Sequence, residues 1–224
     1  MQAQQVICEN IAKRFQYEWV FKELSCLFTS EHIYGILGPN GAGKSTFLRV
    51  ISGFTTPTRG IVKYVLNDKD WTQSNVYANV GYCAPYIDLI EEMTVLEMVK
   101  FNHVMRPFPS IDLVIEGIKQ FPFRGILTKR IIELSSGMKQ RVKLILAIMS
   151  GSAILLLDEP GSNLDTLANV WWQELLVRHR DNRLILIASN DPQDLKLCTS
   201  QLDITSYKNF DNKLLKNRLI DVIE

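Results

Sequence analysis

The sequence predicts an α/β fold with a parallel-sheet core, an antiparallel β element near the N-terminus and an inserted helical lobe. Three observations carry that expectation. The apolar runs at 33–37, 154–157 and 184–188 are short and continuous, as parallel strands covered on both faces are. Longer amphipathic stretches separate them, as crossover helices do. Between them, residues 88–133 carry helix signals, and Pro107, Pro109 and Pro122 cut them into short pieces.

Taken in chain order, Val6-Ile7-Cys8, Trp19-Val20-Phe21 and Leu24-Ser25-Cys26-Leu27-Phe28 read as strands, as do 61–66 and 76–82. The run from Ile33 to Leu37 feeds straight into a Gly-rich turn. Beyond it Phe47, Leu48 and Ile51 share one helical face, and Gly53 is a natural stop. Thr94 and Glu97 have the spacing of a capping box. Leu164, Leu167, Trp171 and Leu175 recur at helical spacing, which places Trp171 in the core and turns Gln173, Glu174 and Arg178 outward. Residues 1–224 read as one domain, with the helical lobe at about 87–140.

Composition excludes several function classes. With 25 Lys and Arg against 24 Asp and Glu, the formal net charge is +1, and no basic run marks a nucleic-acid face. Cys8, Cys26, Cys83 and Cys198 are scattered, with neither a CxxC pair nor metal-ligand spacing to a histidine. Met1-Gln2-Ala3-Gln4-Gln5 lacks the pattern of a signal peptide. No apolar run approaches the roughly 20 residues of a membrane span. The expectation is a cytoplasmic chain that reaches a membrane only through another one.

Gly38-Pro39-Asn40-Gly41-Ala42-Gly43-Lys44-Ser45-Thr46 fits GxxxxGK[ST] between a strand and a helix. The glycines let successive N–H groups curl inward around phosphate oxygens. Lys44 would reach the β- and γ-phosphates, and the helix N-terminus adds to the attraction. Ser45 would hold Mg²⁺ through its hydroxyl. A chance Gly-rich turn of this pattern occurs in such a chain on the order of one time in a hundred. At 154–158 a buried apolar run ends in Asp158, followed by Glu159. That places a carboxylate at the carboxyl edge of a parallel sheet, where ligands sit. Asp158 suits the Mg²⁺ shell, and Glu159 suits polarising an attacking water.

Leu134-Ser135-Ser136-Gly137-Met138-Lys139-Gln140-Arg141 resembles the LSGGQ signature of ABC (ATP-binding cassette) ATPases, and it stands just before the Asp158 strand as in that family. Gly161-Ser162-Asn163-Leu164-Asp165 looks like the family's D-loop. Without the family, Ser135, Ser136 and Gly137 are simply a helix start. The resemblance implies an ABC-type nucleotide-binding domain of the P-loop NTPase class with a RecA-like core. It implies that Ser135–Gly137 bind the γ-phosphate of an ATP held by a second copy of the chain, so that two copies sandwich two nucleotides. It also implies an aromatic stacked on adenine. Phe15 matches that position best and Tyr17 second, with a core position as the competing reading for both.

Two positions depart from the family pattern. Gly81-Tyr82-Cys83-Ala84-Pro85 puts Pro85 where the family has a glutamine that contacts Mg²⁺ and water. Asn190 stands where the family has a histidine bonded to the γ-phosphate, and His32, His103 and His179 all lie elsewhere. Asn190 can donate a hydrogen bond but carries no charge. Intact ATP binding with slow hydrolysis is therefore expected. The leading functional expectation is an ATP-hydrolysing subunit beneath integral membrane permease chains, with ATP and Mg²⁺ as cofactors and no nucleic acid. The alternatives are a regulatory or mechanical clamp and a soluble ABC ATPase without transport.

Overall fold

In a computed structural model, residues 4–208 are described, apart from 68 and 181. The N-terminal strands β1 (Gln5–Phe15) and β2 (Glu18–Thr29) form a long antiparallel hairpin that turns at Gln16 and Tyr17. β4 (Arg59–Leu66) and the short β5 (Lys69–Trp71) extend it into a four-stranded sheet ordered β2-β1-β4-β5. The runs around Trp19 and Leu24, separate in the sequence reading, are one strand. Glu23, at φ 49°, bends that strand between them. Cys8 and Cys26, far apart in sequence, face each other across the hairpin as free thiols.

The core is a five-stranded, wholly parallel sheet. It contains β3 (Ile33–Leu37), β6 (Val80–Cys83), β7 (Ile154–Asp158), β8 (Leu184–Ala188) and β9 (Ser200–Asp203) in the order β6-β7-β8-β3-β9. Every residue of β7 and β8 is buried, which explains why neither shows polar alternation. The expected strand at 76–82 needs correction. Val76–Asn79 is a 3-10 turn, and only Val80–Cys83 is extended, as an edge strand of the core sheet.

Helix α1 (Lys44–Ile51) lies between the two sheets, with Phe47, Leu48, Val50 and Ile51 in the cluster that joins them. The chain leaves α1 at Gly53, as expected. The helical lobe is built from α2 (Val95–Met105), α3 (Ile111–Lys119) and the front of α4 (Ser136–Ile148). Thr94 and Glu97 form the capping box, with both reciprocal bonds present. α4 is buried on two sides. Val142 and Ile145 face the lobe, while Leu144, Ala147 and Ile148 face the sheet. That double burial accounts for the apolar run at 144–149.

α5 (Thr166–Arg178) keeps part of its expected facing, since Leu164 beside it and its own Trp171 and Leu175 pack against the core, but its fully buried line lies one residue further on. Ala168, Trp172 and Leu176 are its buried residues, and Leu167 is 80% exposed. Trp171 is only half-buried, edge-on to Phe121 at 5.2 Å and beneath the Arg141 guanidinium. Gln173, expected to point outward, is half-buried and donates to the Gln193 carbonyl at 2.8 Å. Two aromatic residues in tandem leave periodicity alone unable to choose between faces one residue apart. No helix among the described residues is long and apolar enough to cross a membrane.

Candidate active site

Four adjacent strands deliver the candidate residues to one edge of the sheet. β3 runs into the loop at 38–43, β8 into Ser189 and Asn190, β7 into Asp158 and Glu159, and β6 into Ala84-Pro85-Tyr86. Register brings the strand ends level, because Ala188 pairs with both Ile36 and Asp158. The carboxyl edge of a parallel sheet is where ligands bind in open α/β folds.

The loop's geometry follows from its glycines. Gly43, at φ 107°, turns the chain into α1 in a conformation that L side chains rarely adopt. The Val20 side chain of β2 presses where a Cβ would stand. The Lys44 side chain folds back over the loop, donating to the Gly38 carbonyl at 2.7 Å and to the Pro39 carbonyl at 3.3 Å. It also donates to Oδ1 of Asn190 at 2.6 Å. The Asn190 amide group in turn donates to Oδ1 of Asn40. Burial pushes the Lys44 ammonium below its ordinary value, while the Glu159 and Asp158 carboxylates pull it back up. Asn190 therefore sits on the loop lysine, a contact that spacing alone did not reveal.

Asp158 is 1% exposed at the end of β7. Burial pushes its carboxyl above the ordinary value, against the pull of the Ser45 and Tyr86 hydroxyls. Oδ2 accepts from the Tyr86 hydroxyl at 3.2 Å, and Oδ1 is buried without a hydrogen-bond partner. A buried carboxylate with one orphaned oxygen, near enough to the Ser45 hydroxyl to feel its pull, fits Mg²⁺, which keeps most of its waters and takes one or two carboxylates. Ser45, with Thr46, is half-buried in the first turn of α1. Glu159 follows in the left-handed region at φ 47°, its N–H held by the Ala188 carbonyl at 2.7 Å. Non-glycine residues hold such angles only where their surroundings enforce them.

Ser135 is the N-cap of α4, its hydroxyl accepting from the Met138 N–H at 3.3 Å, and Ser136 opens the helix. Both serines are exposed. Gly137 backs onto the next loop so closely that a Cβ there would lie 2.8 Å from the Asn163 carbonyl. Gln140 donates to the Pro160 carbonyl at 2.9 Å, tying α4 to the same segment. Phe15 is 51% exposed and Tyr17 93%, so neither takes the core position that competed with stacking. Pro85 is exposed, its carbonyl accepting from Lys143 of α4 at 3.3 Å. The sequence reading missed Tyr86, whose hydroxyl reaches Asp158 across 72 residues of chain. The one available signal was its position, as the polar side chain directly after Pro85.

The family model for ABC transporters matches residues 21–162. The chain belongs to the ABC transporter family. Among curated relatives it is 32% identical over 164 residues to the sulfate/thiosulfate import ATP-binding protein CysA of Thermosynechococcus vestitus, covering 71% of this chain and 48% of that protein. It is 29% identical over 194 residues to Nod factor export ATP-binding protein I of Rhizobium johnstonii, covering 84% of this chain and 62% of that one. The human phospholipid-transporting ATPase ABCA7 is 26% identical over 206 residues. That match covers 90% of this chain but 10% of ABCA7. The chain thus spans between a tenth and about half of the first of these relatives' lengths. A putative ABC transporter ATP-binding protein from Pyrococcus furiosus shares the fold at TM-score 0.77 and 18% identity, covering 92% of this chain and 100% of that one. A dimeric ATP-binding cassette in a post-hydrolysis state with ADP and Pi matches at TM-score 0.76 and 18% identity, covering 89% and 95%. This ABC ATPase domain is therefore related to transporter ATP-binding subunits.

Proposed function

We propose that this ABC ATPase domain is the ATP-binding and ATP-hydrolysing subunit of a membrane transporter. In this reading residues 1–224 act as one domain, two copies close on two ATP molecules, and permease chains hold the pair at the inner face of the membrane. The convergence of Lys44, Asn190, Asp158 and Glu159 on one sheet edge is the observation that carries the reading.

In this reading the 38–43 loop and the first turn of α1 bind the triphosphate through N–H groups. The Lys44 ammonium exchanges its Gly38, Pro39 and Asn190 partners for phosphate oxygens. Ser45 and Asp158 would hold Mg²⁺, which when bound would neutralise charge on the phosphates. Glu159 accepts a hydrogen bond from the attacking water and orients it. The Asn190 NH₂ group, one of whose hydrogens goes to Asn40, keeps its second for the transferred group. Phe15, exposed at the end of β1, offers its ring to the adenine. Ser135, Ser136 and Gly137 present a helix N-terminus to the phosphates held by the second copy. The printed functions of the relatives, import in one and export in another, support transport without choosing a direction.

A clamp that dimerises on ATP and turns over slowly is the second reading, favoured by Pro85 and Asn190. Affinity purification from detergent-solubilised membranes separates a membrane role from a soluble one. A co-purifying polytopic chain supports transport or the clamp, and its absence removes both. Stimulation of ATPase by a transported substrate then favours transport, whereas none favours the clamp.

A further inference from the structure

The turn after β6 carries Tyr86 rather than a glutamine to the metal-side carboxylate. Its hydroxyl donates to Oδ2 of Asp158 at 3.2 Å, a long bond with room to tighten. Because that proton is directed at Asp158, the Tyr86 oxygen is left to accept from the Tyr82 hydroxyl, to which it is also bonded. The two rings meet edge-on at 6.3 Å, and the Arg49 guanidinium of α1 lies 5.7 Å from the Tyr86 ring. The turn itself hangs on α4, since Lys143 donates to the Ala84 and Pro85 carbonyls at 3.5 and 3.3 Å. The outcome is asymmetric. Oδ2 is held by a chain of two hydroxyls, while Oδ1 is buried and unpartnered.

We propose that Tyr86 is the positioning residue of the Mg²⁺ site, holding Asp158 by Oδ2 so that Oδ1 faces the metal, in place of the glutamine that Pro85 displaces. The inference rests on the nucleotide reading above. A carboxylate free to rotate must be ordered when the metal binds, and one already held by a hydroxyl need not be. Tyr86 thereby also links the metal carboxylate to the signature helix through the Lys143 bonds.

Tyr86→Phe removes the hydroxyl and keeps the ring over Arg49, at a site 47% exposed where loss of a hydroxyl leaves the fold intact. The probe is trinitrophenyl-ATP fluorescence, first in EDTA and then with Mg²⁺ titrated in. Tyr86→Phe should leave affinity in EDTA unchanged and raise the half-saturating Mg²⁺ roughly tenfold, the usual scale for a hydrogen bond to a charged group. Tyr82→Phe, which leaves the Asp158 contact in place, should give a smaller rise. An unchanged or lowered Mg²⁺ requirement in Tyr86→Phe overturns the proposal, as does an equal loss of affinity in EDTA. A Tyr82→Phe shift as large as that of Tyr86→Phe also overturns it. If the unaltered protein binds no nucleotide at all, the nucleotide reading itself has failed, a result distinct from these.

Discussion

Lys44 and Asn190, 146 residues apart in sequence, meet at 2.6 Å, ammonium to amide oxygen, on the rim of the 38–43 loop. The lysine is thus satisfied by the loop's own carbonyls and by the residue that the family resemblance places against the γ-phosphate. The arrangement makes Lys44 the first residue to test. Lys44→Ala should abolish tight ATP binding, read by equilibrium dialysis with labelled ATP, while far-UV circular dichroism stays native. Unchanged affinity would remove the phosphate-loop assignment.

Asn190 offers an amide where the family pattern has an imidazole. Asn190→His should raise steady-state ATPase of the assembled complex, because losing one well-placed transition-state donor costs about 10²–10³ in rate. If the unaltered complex already turns over like an ordinary transporter ATPase, the slow-hydrolysis expectation fails.

Glu159 stands just past a fully buried strand, in a left-handed backbone conformation with its N–H bonded to the Ala188 carbonyl. Glu159→Gln should retain Mg-ATP binding but stop its consumption, leaving a dimer visible by light scattering after size exclusion. A variant that stays monomeric with Mg-ATP counts against the two-copy sandwich.

Asp194, bonded to Ser189 beside the candidate site, supplies a pH test. It is 2% exposed, its Oδ2 accepts from the Ser189 hydroxyl at 2.6 Å, and burial raises its carboxyl above the ordinary 3.8. A folded-state value above the unfolded one means the folded chain takes up this proton first as pH falls. The ionised group therefore costs stability at neutral pH, and that cost fades as pH falls through the raised value. In denaturant titrations from neutral towards acidic pH, the unaltered protein should gain stability relative to Asp194→Asn. A difference independent of pH would refute this account.

The tandem tryptophans of α5 test the packing. Trp172 is fully buried between α5 and the parallel sheet, so Trp172→Ala should cost about 3–5 kcal/mol in urea unfolding. Trp171 touches Phe121 and Arg141 at a half-buried position, and its replacement should cost roughly 1–2 kcal/mol. The reverse ranking would place the core on the other face.

What the sequence made legible was local. The strand into the 38–43 loop, the strand ending at Asp158 and the cap at Ser135 are each written in contiguous residues, and the structure places them as expected. What stayed hidden was relational. No pattern around Val76 distinguishes a 3-10 turn before an edge strand from one longer strand, because Val, Tyr and Ala suit both. The face of α5 depends on which neighbour it meets. Tyr86 had no motif to announce it, since its partner is supplied by β7.

Val20 has a mechanical consequence beyond filling space. Because this residue of β2 rests where Gly43 has no side chain, the antiparallel sheet props one side of the 38–43 loop. Larger residues at 20 should press on the loop and smaller ones slacken it. Substitutions in the N-terminal hairpin could thus tune nucleotide grip without altering a single group that touches phosphate.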